Sequence, residues 1–177
     1  MSRSRGVSPI LRAAGLAAFA ALSALAVLPS SRTPAQAQAY LGPEIVITIT
    51  RVRALTKEDF FSQADFFAQL TIAGGPPINT AVVKNRDDAQ PNWVVRQRVS
   101  PGTHAVKLAI FDKDLTRNEL IDINAKTPGK RDLDFRVDTR NCRVQGFTNG
   151  YRCREQIVRA GTGKKRAEVT FTVDVVR

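Results

Sequence analysis

Alternating apolar and polar side chains recur along the chain from residue 44 to its end and predict β-strands. In the first run, Ile45, Ile47 and Ile49 share one parity, while Thr48 and Thr50 take the other. Because successive side chains of a strand point to opposite faces of a sheet, such a run has one face suited to a core. The pattern predicts strands at 44–53, 65–73, 78–84, 91–99, 103–111, 119–124, 131–138 and 167–176.

Turn residues separate these eight runs, and none of the runs has the period of an amphipathic helix. Gly74-Gly75-Pro76-Pro77, for example, ends the second run. Short strands at this spacing predict an all-β fold, an eight-stranded antiparallel β-sandwich.

Residues 139–166 do not fit the strand pattern and are predicted to be an insertion in the sandwich. Asn149-Gly150 is a strong signal for a two-residue turn, so we expect a hairpin over 141–154. Cys142 and Cys153, the only cysteines, lie eleven positions apart on either side of this turn. We predict that they form a disulfide; a reactive thiol or a metal-binding pair is the alternative.

The first 39 residues predict a secretory signal peptide. Three arginines precede an uncharged, mostly apolar run of 16 residues, 13–28, and Ala37-Gln38-Ala39 closes the segment. Signal peptides have this order of basic start, apolar middle and small-x-small cleavage site. We expect cleavage after Ala39, with cleavage after Ala37 as an alternative, and a secreted protein, either periplasmic or extracellular. An uncleaved anchor is the other interpretation, although a spanning helix needs roughly 20 apolar residues.

Cleavage would leave residues 40–177 with 23 of the 27 basic side chains and all 16 acidic ones, a charge of +7. This balance favours anionic partners such as phospholipid headgroups, lipopolysaccharide or acidic glycans. Export makes nucleic acid an unexpected partner. One histidine and two cysteines leave few ligands for zinc, copper or haem.

Acidic residues flank two loops of this basic chain. Asp59 and Asp65 lie between the first and second predicted strands, while Asp112 and Asp114 follow the fifth strand and Glu119 comes five positions later. If adjacent strands carry both loops to one end of the sandwich, these carboxylates converge. Carboxylates at such short distances raise one another's pKa unless a cation binds between them. A ligand set made only of oxygen atoms suits Ca²⁺. Solvated loop acids are the alternative, because Asp is common in turns.

Four segments of the chain resemble the C2 domain, the calcium- and phospholipid-binding module of the synaptotagmins and protein kinase C. The first is the strand at 45–49, and the second is Asp-Phe-Phe at 65–67, where the family has Asp-Pro-Tyr. The third is Pro91-Asn92-Trp93, similar to the family's Asn-Pro-x-Trp. The fourth is Asp112-Lys113-Asp114 followed by Glu119-Leu120-Ile121. Together they imply a C2-like domain over 40–177, apart from the insertion at 139–166.

The resemblance implies a calcium site at the two acidic loops. Three features depart from the family pattern. Glu119 comes one residue early and is one methylene longer than the family's aspartate, no proline follows Asp65, and Asp122 stands where the family usually has glycine. The implied calcium ligands are Asp59, Asp65, Asp112, Asp114 and Glu119.

The resemblance also implies two surfaces that contact a membrane. Phe60, Phe61 and Leu115 would insert into the headgroup region from the loop tips, although at least one phenylalanine could instead belong to the core. Arg96 and Arg98, on the outward face of a predicted strand, would bind acidic headgroups. The alternative for these arginines is an ordinary solvated strand face.

These observations predict a secreted C2-like module that attaches to an anionic phospholipid or envelope surface through loops 56–65 and 112–119, in a Ca²⁺-dependent manner. The alternative is a calcium-independent β-sandwich that serves as an interaction or structural protein. We do not expect an enzyme, because His104, the single histidine, shares parity with core residues and no other nucleophile–base pair is available. A hydrolase based on two carboxylates stays open, but nothing in the sequence supplies its substrate cleft.

Overall fold

The computed structural model describes residues 42–56, 63–114 and 117–177. Within these ranges every regular element is a β-strand, which confirms the predicted all-β fold. The strands are β1 (Glu44–Ala54), β2 (Phe66–Ile72), β3 (Ile78–Asn79), β4 (Asp88–Ala89), β5 (Trp93–Arg98), β6 (Thr103–Lys113), β7 (Asn118–Ile121), β8 (Leu133–Asp138), β9 (Arg143–Gln145), β10 (Tyr151–Arg152), β11 (Ile157–Ala160) and β12 (Ala167–Val176).

The strands form two sheets that pack face to face, so the predicted antiparallel sandwich is confirmed. The first sheet has the order β11-β12-β1-β4, and β5 also pairs with β1. The second sheet has the order β10-β9-β8-β6-β2-β3, and β7 pairs with the end of β6. The pairing of β1 with β12 joins the start of the domain to its last strand over their whole lengths.

The core lies between the two sheets and follows the predicted parity. Ile45, Ile47 and Ile49 of β1 are fully buried. A bulge after Ile49 resets the alternation, so Val52 also faces the core. Each aliphatic side chain removed from water in this way contributes about 1.5–3 kcal/mol. The other fully buried large side chains are Phe66, Leu70, Ile72, Leu108, Ile110, Ile123, Ile157 and Phe171.

The inserted hairpin is present as β9 and β10, and the predicted Cys142–Cys153 disulfide is confirmed. The predicted two-residue turn is wrong, because the connection runs from 146 to 150 and its positive φ falls at Gly146. The longer loop lets the Phe147 ring turn back onto Phe135, with ring centroids 5.4 Å apart. Packing of an aromatic ring has therefore decided the loop length over the local turn signal.

Short strands differ most from the sequence prediction. The run at 78–84 pairs only at Ile78–Asn79 and at one bridge between Phe66 and Val83. Strands β4 and β11 extend the first sheet and were not predicted. They have two and four residues, which is too short to display an alternation.

Among the described residues, no helix is long and apolar enough to cross a membrane. The predicted signal peptide at 1–39 lies outside the described residues and stays a prediction, as does the boundary between it and the domain at 40–177.

Candidate functional site

Three neighbouring strands of the second sheet meet at the predicted acidic cluster. Phe66, at the start of β2, pairs with Asp112 near the end of β6, and Asp112 pairs on its other side with Glu119 of β7. Residues directly opposed on antiparallel strands lie about 4.5–5.5 Å apart. The strand register therefore brings Asp65, Asp112 and Glu119 to the same end of the sheet. We call residues 63–65, 112–114 and 117–119 the loop end.

Asp65 and Asp112 are linked through the backbone. One carboxylate oxygen of Asp112 accepts a hydrogen bond from the Asp65 N–H at 2.7 Å. One carboxylate oxygen of Asp65 accepts a hydrogen bond from the Asn85 N–H at 2.8 Å. The Lys113 N–H donates to the Asp65 carbonyl at 2.9 Å. Within the described ranges, the second oxygen of each carboxylate accepts no hydrogen bond and stays available as a ligand.

The electrostatic environment disfavours the ionised form of Asp112. Burial raises the pKa of its carboxyl, and the carboxylates of Asp114 and Asp65 raise it further. The Asp65 N–H and the ammonium of Lys165 lower this pKa, without offsetting the other effects. A cation bound between these carboxylates would relieve the repulsion.

Glu119 differs from Asp112 because it already has cationic neighbours. The Lys165 ammonium forms an ion pair with the Glu119 carboxylate, and the Arg117 guanidinium lies 4.0 Å from it. The hydrogen bond from Lys165 holds the pKa of Glu119 below its ordinary value. Asp65 and Asp112, in contrast, form no ion pair with any residue that the structure describes.

The described residues contain only part of the predicted calcium site. Asp59, Phe60, Phe61 and Leu115 lie outside them, so their roles stay predictions. Among the described residues, the loop-end carboxylates do not bring three oxygens within 4.8 Å of one another. The one such group found there is Cys142, Cys153 and Asp174. Its sulfurs are joined in the disulfide, so they are not thiolate ligands.

No protein-family model and no curated protein matches the sequence, but solved structures do. The tandem C2 domains of Extended-Synaptotagmin 2 match with a TM-score of 0.50 and 11% identity, over 75% of this chain and 40% of theirs. The calcium-bound form of these domains gives a TM-score of 0.50 and 10% identity, over 75% and 45%. The fold is C2-like. This finding confirms the fold that the four sequence segments implied.

Another solved structure matches this chain with a slightly lower TM-score. Human GIVD cytosolic phospholipase A2, in complex with methyl gamma-linolenyl fluorophosphonate, matches 74% of this chain with a TM-score of 0.48 and 14% identity. The chain spans 17% of that protein. At such low identities a likeness to a solved structure concerns the fold alone.

The C2-like domain carries its predicted basic residues on the outer face of the first sheet. Arg96 and Arg98 are exposed and alternate with the buried Val95, so their predicted outward orientation is confirmed. The Arg96 guanidinium lies 3.1 Å from the Glu44 carboxylate, and Arg98 donates to the Gly42 carbonyl. Glu44 therefore compensates part of the charge of Arg96, whereas Arg98 pairs with no acid among the described residues.

Sequence reasoning missed the role of Asp122, a buried aspartate in the C2-like domain with 6% exposure. One of its carboxylate oxygens accepts hydrogen bonds from the N–H groups of Thr162 and Gly163, at 3.1 and 2.6 Å. The other accepts from the Asn124 N–H at 2.9 Å. Three backbone donors thus converge on one buried carboxylate. Two of these donors, Thr162 and Gly163, fix the segment 161–166 beside the end of β7.

The segment 161–166, Gly-Thr-Gly-Lys-Lys-Arg, packs closely against Asp122. A Cβ atom at Gly161 would lie 2.1 Å from the Asp122 carbonyl oxygen, so the close approach requires glycine there. The same segment carries Lys165 to the carboxylate of Glu119. Two glycines spaced around a threonine before a basic run were the sequence signal for this loop, but nothing in the sequence connected them to Asp122.

Proposed function

We propose that this C2-like domain attaches to an anionic phospholipid or envelope surface in a Ca²⁺-dependent manner, through loops 56–65 and 112–119, after export by the predicted signal peptide. The observation that carries the proposal is the strand register at the loop end. It brings Asp65 and Asp112 together without an ion-paired cation in the described residues, and the pKa of Asp112 is raised.

The donor set at the loop end fits a hard divalent cation. It consists of carboxylate oxygens, and the described part offers free oxygens on Asp65 and Asp112. Asp65, Asp112 and Asp114, with Asp59 and Glu119, would hold Ca²⁺, which takes six to eight oxygen ligands. A bound calcium ion supplies positive charge at the loop end, where phosphate groups of lipids can complete its coordination. Phe60, Phe61 and Leu115 are the candidates for apolar contact beside it.

Thermal unfolding with EDTA and then with rising Ca²⁺ tests the site. Ca²⁺ at 100 times its Kd should add about 2.7 kcal/mol of stability, which moves the midpoint by several degrees. The double variant Asp112→Asn/Asp114→Asn should lose this rise. Asp138→Asn, at the opposite end of the same sheet, is the matched control and should keep it. An unchanged midpoint at millimolar Ca²⁺ in the wild type would refute the calcium-dependent proposal.

Vesicle co-sedimentation tests the surface partner. In Ca²⁺ the wild type should sediment with vesicles of phosphatidylserine and phosphatidylcholine. It should stay in the supernatant when EDTA replaces Ca²⁺ or when the vesicles contain phosphatidylcholine alone. The Asp112→Asn/Asp114→Asn variant should stay in the supernatant under all of these conditions. Equal sedimentation with neutral and anionic vesicles would contradict an electrostatic attachment.

The ion pair of Lys165 with Glu119 favours a second candidate, attachment without calcium. In this case the protein's own ammonium group supplies positive charge beside the acids, and the basic run Lys164-Lys165-Arg166 contacts the anionic surface. Vesicle binding that persists in EDTA and falls in Lys164→Gln/Lys165→Gln would support this candidate. Binding that requires Ca²⁺ would exclude it.

A further inference from the structure

A cavity of about 290 Å³ lies between the inserted hairpin and the segment 124–130. The segment 124–130 lines one side, the hairpin loop 146–148 lines another, and Arg159 of β11 also contributes. No acid of the loop end lines it. We call it the hairpin cavity; it exists only because the insertion covers this edge of the sandwich.

Hydrogen bonds between side chains and the backbone fix the walls of the hairpin cavity. The Asn124 side chain donates to the Asp132 carbonyl at 2.7 Å and accepts from the Lys126 N–H at 2.8 Å. The Lys126 ammonium donates to the Gly146 carbonyl at 3.1 Å and so joins the two walls. Gly146 has a φ of 109°, and a Cβ atom there would lie 3.0 Å from the Phe135 Cα. The cavity is thus shaped before any ligand arrives, which lowers the entropic cost of binding.

Arg159 is an unusual residue for the inner side of a sheet. It pairs with Val169, whose side chain is fully buried, so Arg159 points toward the space between the sheets. Its guanidinium lies 4.3 Å from the centroid of the Phe147 ring and 5.8 Å from that of Tyr151. Its Nε is buried and has no hydrogen-bond partner, and Arg159 forms no ion pair with a described residue. A buried donor without an acceptor requires an explanation in a native structure.

The hairpin cavity has an excess of about two positive charges. Lys126, Lys130 and Arg159 line it together with one acid, Asp134. Asp134 forms an ion pair with Lys130. Lys126 and Arg159 are left without an acidic partner among the described residues.

This charge and this size match a phosphate monoester. Such a group carries about −1.5 to −2 at neutral pH, and a guanidinium with a nearby ammonium suits its oxygens. The ring of Phe147 and the side chain of Leu133 supply apolar wall for an organic substituent. A volume of about 290 Å³ lies at the lower limit for small-ligand sites. It admits a headgroup or small molecule but no acyl chain.

We propose that the hairpin cavity is a second binding site, which takes a phosphate monoester between Lys126 and Arg159 with its organic part against Phe147. The phosphate group belongs either to a free small molecule or to the headgroup of a phospholipid. The site is independent of calcium and of the acids at the loop end.

Titration of the oxidised protein with glycerol 3-phosphate, followed by amide NMR in EDTA at constant ionic strength, tests the proposal. We expect saturable shifts confined to 124–130, 146–148 and 159. Lys126→Gln should weaken binding at least tenfold. Lys84→Gln, which removes an exposed lysine outside the cavity, should bind like the wild type. Equal losses of binding in both lysine variants would overturn the proposal, and shifts that do not saturate would exclude a free small molecule as the source of the phosphate group.

Three further measurements distinguish the two sources of the phosphate group and control for misfolded variants. Vesicles with phosphatidic acid, compared with phosphatidylcholine, present the same group on a lipid. If Lys126-dependent binding occurs with these vesicles but not with glycerol 3-phosphate, the source is a headgroup; failure of both refutes the site. Arg159→Gln should lose binding in the same way if its thermal unfolding stays cooperative. Asp112→Asn/Asp114→Asn should retain phosphate binding, so the failure of the calcium site and the failure of this site are distinguishable.

Discussion

The loop end has an excess of acidic side chains and the hairpin cavity an excess of basic ones, and the two regions are also assembled differently. At the loop end, the acids of β6 and β7 lie opposite each other in one sheet, and hydrogen-bonded register brings them together. At the hairpin cavity, Lys126 and Arg159 come from separate segments that side-chain-to-backbone bonds and ring stacking hold in place. The first kind of site follows from strand order, whereas the second depends on tertiary packing.

The largest effect is expected for Asp122→Ala, because Asp122 supports both regions. Its carboxylate holds the segment 161–166 on one side and Asn124 of the hairpin cavity on the other. Three backbone N–H groups would lose their acceptor, one of them the buried N–H of Asn124, and we expect a loss of about 3 kcal/mol in the free energy of unfolding. Urea denaturation measures it. Asp138→Ala, which removes an acceptor from one exposed N–H, is the control. A loss below about 1 kcal/mol for Asp122→Ala would show that water replaces the carboxylate.

Removal of the disulfide should weaken ligand binding at the hairpin cavity and leave calcium binding at the loop end unchanged. The Cys142→Ser/Cys153→Ser variant releases the base of the hairpin and should lose about 2–3 kcal/mol, as expected for a short closed loop. Glycerol 3-phosphate binding should weaken, because Phe147 and Gly146 lie in that hairpin. The rise of the thermal midpoint with Ca²⁺ should persist. Loss of both responses would contradict the independence of the two sites.

Asp112→Asn should raise the thermal unfolding midpoint of the calcium-free protein by a few degrees at most. The same variant should weaken calcium binding. Asp112 has a raised pKa in the folded state, so its ionisation opposes folding at neutral pH. This penalty is complete above the raised pKa and disappears as the pH falls through that pKa to the ordinary value for Asp. The variant and the wild type should therefore converge in acid, as thermal unfolding from pH 7 to pH 3 can show. A variant less stable at neutral pH would mean that burial does not penalise the charge.

The smallest change in stability is expected for Arg96→Gln. The guanidinium and its partner Glu44 lie on the outer face of the first sheet, where an exposed ion pair contributes about 0.5 kcal/mol or less. Binding to anionic vesicles should nevertheless weaken, and more strongly at low salt than at high salt. Gln97→Ala on the same strand is a control without a charge change. Unaltered vesicle binding of Arg96→Gln would remove the first sheet's outer face from the proposed surface.

The sequence was most informative where a pattern had enough residues to repeat. The long strands β1, β6 and β12 were predicted close to their observed bounds, and the parity of Ile45, Ile47 and Ile49 selected the buried face. The disulfide followed from two cysteines around a hairpin in a protein expected to be exported. The strand order then placed Asp112 beside Asp65 and Glu119.

Contacts between distant segments could not be inferred in the same way. Nothing near Asp122 in the sequence indicates that its carboxylate binds residues forty positions later. The turn signal at Asn149-Gly150 described a plausible local turn, but burial of the Phe147 ring selected a longer loop. The position of Lys165 beside Glu119 depends on how the segment 161–166 folds, so this ion pair was also missed.

The inward-facing Arg159 also affects how the protein behaves in concentrated solution. Strand β11 forms one margin of the first sheet within the described ranges, and such a margin can recruit a strand from another molecule. A four-residue strand with a charge on its inner side is a poor template for that recruitment. A second chain that extended the sheet there would have to bury the guanidinium or displace the aromatic rings of the hairpin. Arg159, which we assign to ligand binding, therefore also disfavours the addition of a strand from a second molecule at β11.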